Sequence, residues 1–391
     1  VVRRPRACIV RFQPLDLPTR REAEALVAEG FDTIVLCLKE EHEPKRERVD
    51  GYEVRRSSIS KSRGSAVRYF VTYLQWFLLG FSWLTVQHLR RRFAVVQIST
   101  LPDTQVFAAL VPRLTGAKVV VFLKEPTGEL FELLYGSQRL GRLANLVAGL
   151  AIRFAHLAFT VSDQHKETYV QRGADERKII SIPNSMPITA FARTALERRP
   201  DDTYFVVLCH GTIEDRWGHD VIIRAAALAR AKIPNLQVRF PGRGTAQPSL
   251  EQLAVDLGVD DIVVFPGFLS FDELGKELMR AHVGVSAQKA SAYSHVVQTG
   301  KMYEFLALGI PCIVTRLRST EAYFTPDAVV FVEPGDHDEL AASIVALAHD
   351  PERCATLAAN GAVALIPYGW DVQQHRYRGA VRELIGLSDS R

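Results

Sequence analysis

A chain of 391 residues is too long for one ordinary core and implies two domains. Apolar content of 47% and charged content of 24% are those of a globular protein. The net charge of +4 is mild and not gathered into a basic tail, which argues against a nucleic-acid binder.

Cys8, Cys37, Cys209, Cys312 and Cys354 form no C-x-x-C pair, and most sit in or beside apolar runs. That scatter reads as reduced core thiols in a cytoplasmic protein. The start, Val1-Val2-Arg3-Arg4, shows no signal-peptide apolar region. With no Met in front of it, a trimmed chain is expected.

In chain order, residues 7–12 read as a strand, 19–29 as a helix ending at Gly30, and 33–38 as a second strand. Residues 40–50 read as a charged surface loop. Buried strands follow at 95–99, 118–123 and 157–161. Ser162 reads as the N-cap of a helix that ends at Gly173. Short apolar runs alternating with helices imply a parallel, doubly wound sheet. Pro183–Asp202, "PNSMPITAFARTALERRPDD", reads as the crossing to a second domain. A second series of strands follows at 204–209, 236–240, 262–265, 283–286, 311–315 and 329–332, again with helices between. The fold class is therefore α/β, with two Rossmann-like domains facing across a cleft. The boundaries fall at 1–185 and 203–370, and a final helix near 371–387 is expected to return to the first domain. Such sheets bind ligands at the carboxyl ends of their strands.

Two stretches carry chemistry at such ends. "CHGTIEDRWGHD" (Cys209–Asp220) is a strand end, a glycine-bearing loop and a helix start near Gly218-His219. Exposed backbone N–H groups, the helix dipole and Arg216 would suit a phosphate. The bland alternative is a surface arginine in a connection. "QTGKMYEF" (Gln298–Phe305) repeats the logic, with a helix starting near Gly300-Lys301. Glu304 is read as lying in the first turn, where a carboxylate is favourable by itself. A lysine is unfavourable there unless an anion is present, so Lys301 points to one.

These residues bear a resemblance. "GKMYEFLALGIP" resembles the K-x-x-E-(Y/F)-x-A-x-G-x-P signature of the retaining GT-B glycosyltransferases of family 4, the glycosyl transferases group 1. "HGTIEDRWGHDVIIRA", "LPDTQVFAALVPRLTGAKVV", "IPNSMP", "VEPGDHDELAASI" and "YGWDVQQHRY" are similar to further segments of that family, in the same order along the chain. The resemblance implies a nucleoside-diphosphate-sugar donor held mainly by the C-terminal domain. Arg216 and Lys301 would hold the diphosphate and Glu304 the ribose hydroxyls. Gly211, Thr212, Thr299 and Gly300 would complete the donor site, and Phe268 and Leu269 would approach the base. Two positions depart from the family pattern. The second glutamate common eight residues earlier is Val296 here. Where the family often has His-Asp or His-Glu in the N-domain, this chain has Lys124-Glu125, which we carry as candidate catalytic residues.

No metal or other cofactor is expected. The lone D-x-D, Asp336-His337-Asp338, follows Pro334-Gly335 and reads as a helix cap with an acidic first turn. Arg216 and Lys301 would neutralise the leaving diphosphate instead.

Residues 68–93 are aromatic and apolar between Lys61, Arg63 and Arg68 on one side and Arg90-Arg91-Arg92 on the other. Thr72, Gln75, Ser82 and Thr85 fall roughly on one helical side. An aromatic face contacting a membrane surface is expected, with a buried core helix and a membrane span at the lower limit of length as the alternatives.

The sequence thus points to a retaining, hexosyltransferase-type glycosyltransferase, cytoplasmic and peripheral on the inner face of the cell membrane. Its partners would be a nucleotide-sugar donor and a glycan or lipid-linked acceptor of cell-surface polysaccharide synthesis, and no nucleic acid. The alternatives are a soluble enzyme acting on a small natural product and a non-catalytic GT-B scaffold subunit.

Overall fold

The computed structural model describes residues 4–40, 43–59, 66–183 and 200–386. The chain forms two compact units. One holds the described residues up to Pro183 together with those from Gln374, and the other holds those between. Most of the predicted crossing segment, and the flanking Lys61 and Arg63, lie outside the described residues.

The first unit is built on β1 (Arg6–Arg11), β2 (Asp32–Leu38), β3 (Arg46–Val49), β4 (Tyr52–Ser57), β5 (Val95–Ser99), β6 (Lys118–Leu123), β7 (Leu157–Thr160) and β8 (Ile179–Ser181). They form one sheet in the order β3-β4-β2-β1-β5-β6-β7-β8, parallel except for β3. Runs such as Val119-Val120-Val121 are buried on both faces because helices cover both sides of the sheet. Val95 pairs with Ala7 and with Lys118, which aligns the carboxyl ends of β1, β5 and β6.

The loop expected at 40–50 is in part a strand. Arg46–Val49 pairs antiparallel with Tyr52–Ser57 around the two-residue turn Asp50-Gly51, whose φ values are 47° and 88°. An Asp-Gly pair with both φ positive is the hairpin turn that matches strand twist. The charges that suggested a loop are those of an edge strand, where they discourage pairing with another chain.

The second unit holds β9 (Phe205–Leu208), β10 (Leu236–Arg239), β11 (Val263–Val264), β12 (Val283–Ser286), β13 (Cys312–Thr315) and β14 (Val330–Val332), all parallel, in the order β11-β10-β9-β12-β13-β14. The order reverses between β9 and β12, and that reversal opens a crevice at the strands' carboxyl ends. Helix starts follow local capping rules. Ser162 accepts from His165 N at 3.0 Å, and Asp336 accepts from Glu339 N at 2.8 Å. Asp336 therefore sits as the helix cap its sequence context implied.

The last helix, Trp370–Leu384, begins in the second unit and continues in the first. There the Tyr377 hydroxyl donates to Gln97 Oε1 at 2.7 Å, and Arg378 pairs with Glu29.

Candidate functional site

β9 ends at Leu208, and the chain passes Cys209 and His210 into Gly211, whose φ of 110° needs a glycine. A short turn over Asp215–Trp217 leads to Gly218 and the helix His219–Ala229. A Cβ on Gly218 would lie 1.8 Å from Ala287 O, so only glycine lets this loop lie against the one following β12.

The loop after β10 is stacked on the same segment. Gly211 N donates to Pro241 O at 2.8 Å, and Ile213 N to Arg243 O at 3.1 Å. A Cβ on Gly242 or Gly244 would meet Gly211 O or Ile213 O at 1.8 or 1.9 Å. Gly242 N in turn donates to Gly267 O at 2.8 Å. Three strand-end loops are thus joined edge to edge. This corrects the expectation that the glycine loop presents its amides outward: those of Gly211 and Ile213 are engaged inside the fold. Thr212 between them is exposed.

Lys301 lies in the first turn of the helix Gly300–Ala307. Thr299 occupies the N-cap position but makes no side-chain cap; its hydroxyl lies 3.1 Å from Ser286 Oγ. The first turn holds no acidic residue: Glu304, expected in it, falls beyond it because the helix begins at Gly300. Lys301 is only 9% exposed. Its Nζ lies 3.7 Å from Cys209 Sγ and 5.1 Å from the centre of the Trp217 ring. Among the described residues no carboxylate lies within 4.0 Å of it. Arg216 places its guanidinium 5.1 Å from the centre of the same indole, and its buried Nε has no hydrogen-bond partner. Two cations therefore flank one ring. Glu304, one turn beyond Lys301, brings Oε2 to 3.1 Å from His210 Nε2, close but not aligned as a hydrogen bond.

The electrostatic consequences appear on the neighbours. Burial pushes His219 down to about 3, with the Lys301 charge the next cause. Burial raises the Cys209 thiol, and Lys301 opposes the rise.

Phe268 is 68% exposed, and the Arg243 guanidinium lies 4.4 Å from its ring centre; Leu269 beside it is half-buried. The structure thus gathers Gly211, Arg216, Thr299, Gly300, Lys301 and Glu304 around β9 and β12, and sets Phe268 on the loop bonded to Gly242. Sequence reasoning missed His210, Trp217 and Arg243. The aromatic neighbour of Arg216 and the Gly-Arg-Gly after β10 were the available signals.

Lys124 and Glu125 lie in the first unit, after β6. Lys124 is buried, and its Nζ donates to Glu22 Oε1 at 2.5 Å. Gln97 Nε2 donates to the other Glu22 oxygen at 2.5 Å. Burial pulls the Lys124 ammonium below its ordinary pKa, with Glu22 the main opposing influence. Glu125 is half-buried.

The helix Ala66–Arg90 also departs from expectation. Trp76 is fully buried and packs 5.4 Å from the Phe12 ring, and Trp83 is half-buried. Of the four polar residues expected on one side, Gln75 and Ser82 are exposed, Thr85 is half-buried, and Thr72 is buried and donates to Arg68 O at 2.8 Å. The exposed residues also include the aliphatic Val71, Leu74, Leu78, Val86 and Leu89. Aromatic rings have the larger area to bury and take the core side. No described helix is long and apolar enough to cross a membrane.

Comparison with known proteins agrees with this architecture. The first half matches the family model for the glycosyl transferase 4-like domain over residues 18–185, and the second matches glycosyl transferases group 1 over 204–350. A GDP-mannose-dependent monoacylated α-(1-6)-phosphatidylinositol monomannoside mannosyltransferase of Corynebacterium glutamicum is 28% identical over 202 residues, 50% of this chain and 52% of that one. A D-inositol 3-phosphate glycosyltransferase of Thermobispora bispora is 30% identical over 183 residues, 44% of this chain and 41% of that one. The chain spans about half the length of the curated relatives it matches. Among solved structures, a sucrose-phosphate synthase of Thermosynechococcus elongatus superposes with a TM-score of 0.77 at 18% identity, covering 98% of this chain and all of that one. Anabaena HepE in complex with UDP-glucose gives 0.71 at 15%, covering 97% and 99%. Two doubly wound α/β units of this kind define the GT-B fold class. With family models matching both of its halves, the chain belongs to the group 1 glycosyltransferases of family 4.

Proposed function

We propose that the protein transfers a sugar from a nucleoside-diphosphate sugar to a lipid-linked acceptor with retention of configuration. The observation that carries this is Lys301: a buried ammonium at an uncapped helix start, beside Arg216, without a carboxylate partner among the described residues. A buried charge left unpaired is costly, and a diphosphate supplies the missing counter-charge. Glu304 would hold the ribose hydroxyls, and Phe268 under Arg243 would meet the base.

As the sugar–oxygen bond breaks, negative charge grows on the diphosphate, where Lys301 and Arg216 stabilise it. On this reading the acceptor attacks from the face the diphosphate leaves. A donor phosphate oxygen takes the acceptor's hydroxyl proton. The two cations supply the charge that a metal would otherwise supply, so turnover needs no added metal. Abolition by a chelator and restoration by Mn²⁺ or Mg²⁺ would overturn that part.

The names of the relatives divide between lipid acceptors and a water-soluble inositol phosphate. The exposed aliphatic residues of the helix Ala66–Arg90 favour the lipid and a peripheral position on a membrane. Thermal shift against UDP and GDP tests the donor site, since a nucleotide at 100 times its Kd stabilises by about 2.7 kcal/mol. Release of nucleotide from the donor separates an enzyme from a scaffold. No shift with any nucleoside diphosphate, and no release above background, would sink the reading.

A further inference from the structure

Residues 214–220, "EDRWGHD", set one arginine among three carboxylates, and each of the three is engaged elsewhere. Glu214 accepts from Thr245, with Oε2 2.5 Å from the hydroxyl and Oε1 3.3 Å from the backbone N. Asp215 and Asp220 both meet the ammonium of Lys289, at 2.7 and 3.2 Å. Among the described residues no carboxylate lies within 4.0 Å of the Arg216 guanidinium, although Asp215 is its neighbour in the chain.

Lys289 comes from a different loop, the one that follows β12 and leads to the helix Gly300–Ala307. Its backbone N donates to Arg216 O at 3.0 Å, so the lysine holds the main chain of the Arg216 turn as well as an acid on either side of it. Burial alone would lower the Lys289 pKa, but the hydrogen bonds to Asp215 and Asp220 outweigh it and hold the ammonium above its ordinary range. The Lys289 side chain is 34% exposed. An ion pair that open adds little to stability. Its consequence is electrostatic: one cation offsets two carboxylates that flank Arg216.

We propose that Lys289 is a positioning residue for donor binding: by holding Asp215, Asp220 and the backbone of the turn between them, it keeps the Arg216 guanidinium free of internal carboxylates and open to a diphosphate. The inference rests on the reading of Arg216 as a diphosphate ligand and adds the residue that keeps it available. A guanidinium pairs readily with a carboxylate in a two-pronged fork, and the same fork is what a phosphate needs. Without Lys289, two unbalanced carboxylates would stand beside Arg216, to pair with it or to repel the incoming anion.

The test titrates the full chain with UDP and with GDP by calorimetry. Lys289→Met should weaken whichever nucleotide the wild type binds by about tenfold, the order expected of two unbalanced charges beside an anion. Lys289→Arg should bind as the wild type does. Two readouts separate this role from a merely structural one. Asp215→Asn and Asp220→Asn, added together to Lys289→Met, should restore most of the affinity, because the carboxylates competing for Arg216 are gone. The gap between Lys289→Met and wild type should also narrow as salt rises from about 0.05 M to about 0.5 M, since exposed charges are screened. The proposal falls if Lys289→Met binds as tightly as wild type, if the triple variant binds no better than Lys289→Met, or if the gap is the same at every salt concentration. A wild type that binds neither nucleotide would sink the donor reading and this inference with it. A wild type that binds, with Lys289→Met undiminished, would sink the Lys289 assignment alone.

Discussion

Two lysines, one in each unit, are each 9% exposed: Lys124 directly follows β6, and Lys301 lies in the first turn of the helix after the loop that follows β12. Lys124 meets Glu22 at 2.5 Å, and Gln97 binds the second oxygen of that carboxylate. Lys301 meets a thiol and an indole. The same side chain at the same exposure has a carboxylate partner in one unit and, among the described residues, none within 4.0 Å in the other. Burial and position alone therefore do not mark a binding cation; the partner does.

The largest expected effect tests that difference through stability. Removing one member of a buried pair strands the other charge and costs about 3–5 kcal/mol. Glu22→Gln or Lys124→Met should lower the urea midpoint accordingly, and the double variant should recover most of the loss. Lys301→Met removes a charge with no partner to strand and should leave the midpoint unchanged or raise it. Equal destabilisation by Lys124→Met and Lys301→Met would erase the comparison.

The next effect is catalytic. Lys301→Ala and Arg216→Ala should lower kcat by about 10²-fold or more, as does loss of one donor to a developing oxyanion. Near wild-type kcat in either folded variant would remove the diphosphate assignment. Glu304→Gln should act on binding instead. A charged hydrogen bond to hydroxyls that do not change during reaction is worth about 1.5–3 kcal/mol, and its loss raises the donor KM with kcat kept. An unchanged KM would leave Glu304 as a helix-start charge held near His210.

These contrasts show what the sequence made legible. Period, helix starts and strand-end loops located the segments that carry Arg216, Lys301 and Glu304, because local chemistry governs a helix start. The partner of Lys124 lies 102 residues away in sequence, and no local pattern announces it. The helix Ala66–Arg90 was misread for a related reason. Hydropathy identified a half-buried helix, but which half faced inward depended on strands that pack against it, and the tryptophans went to the core. The edge strand Arg46–Val49 was hidden because its charges obscured the Asp50-Gly51 turn signal. Backbone stacking of Gly211, Gly242 and Gly267 required three separate loops to be seen together.

The smallest effect reads the free charge of Lys301 directly, through His219. Its folded pKa is about 3 and its unfolded value 6.5. Between those values the unfolded chain binds the extra proton, so the stability linked to His219 is complete above pH 6.5 and is lost as pH falls toward 3. Burial is the main cause and Lys301 the second. Lys301→Met should therefore raise the His219 titration observed by NMR while leaving it below 6.5, because the burial part remains. Lys124→Met, in the other unit and with its charge balanced by Glu22, should not move it. A bound nucleoside diphosphate should shift His219 in the same direction as Lys301→Met, since the anion offsets the ammonium. If nucleotide shifted His219 equally in wild type and in Lys301→Met, the diphosphate would be resting elsewhere, and Lys301 would be a buried cation without a ligand.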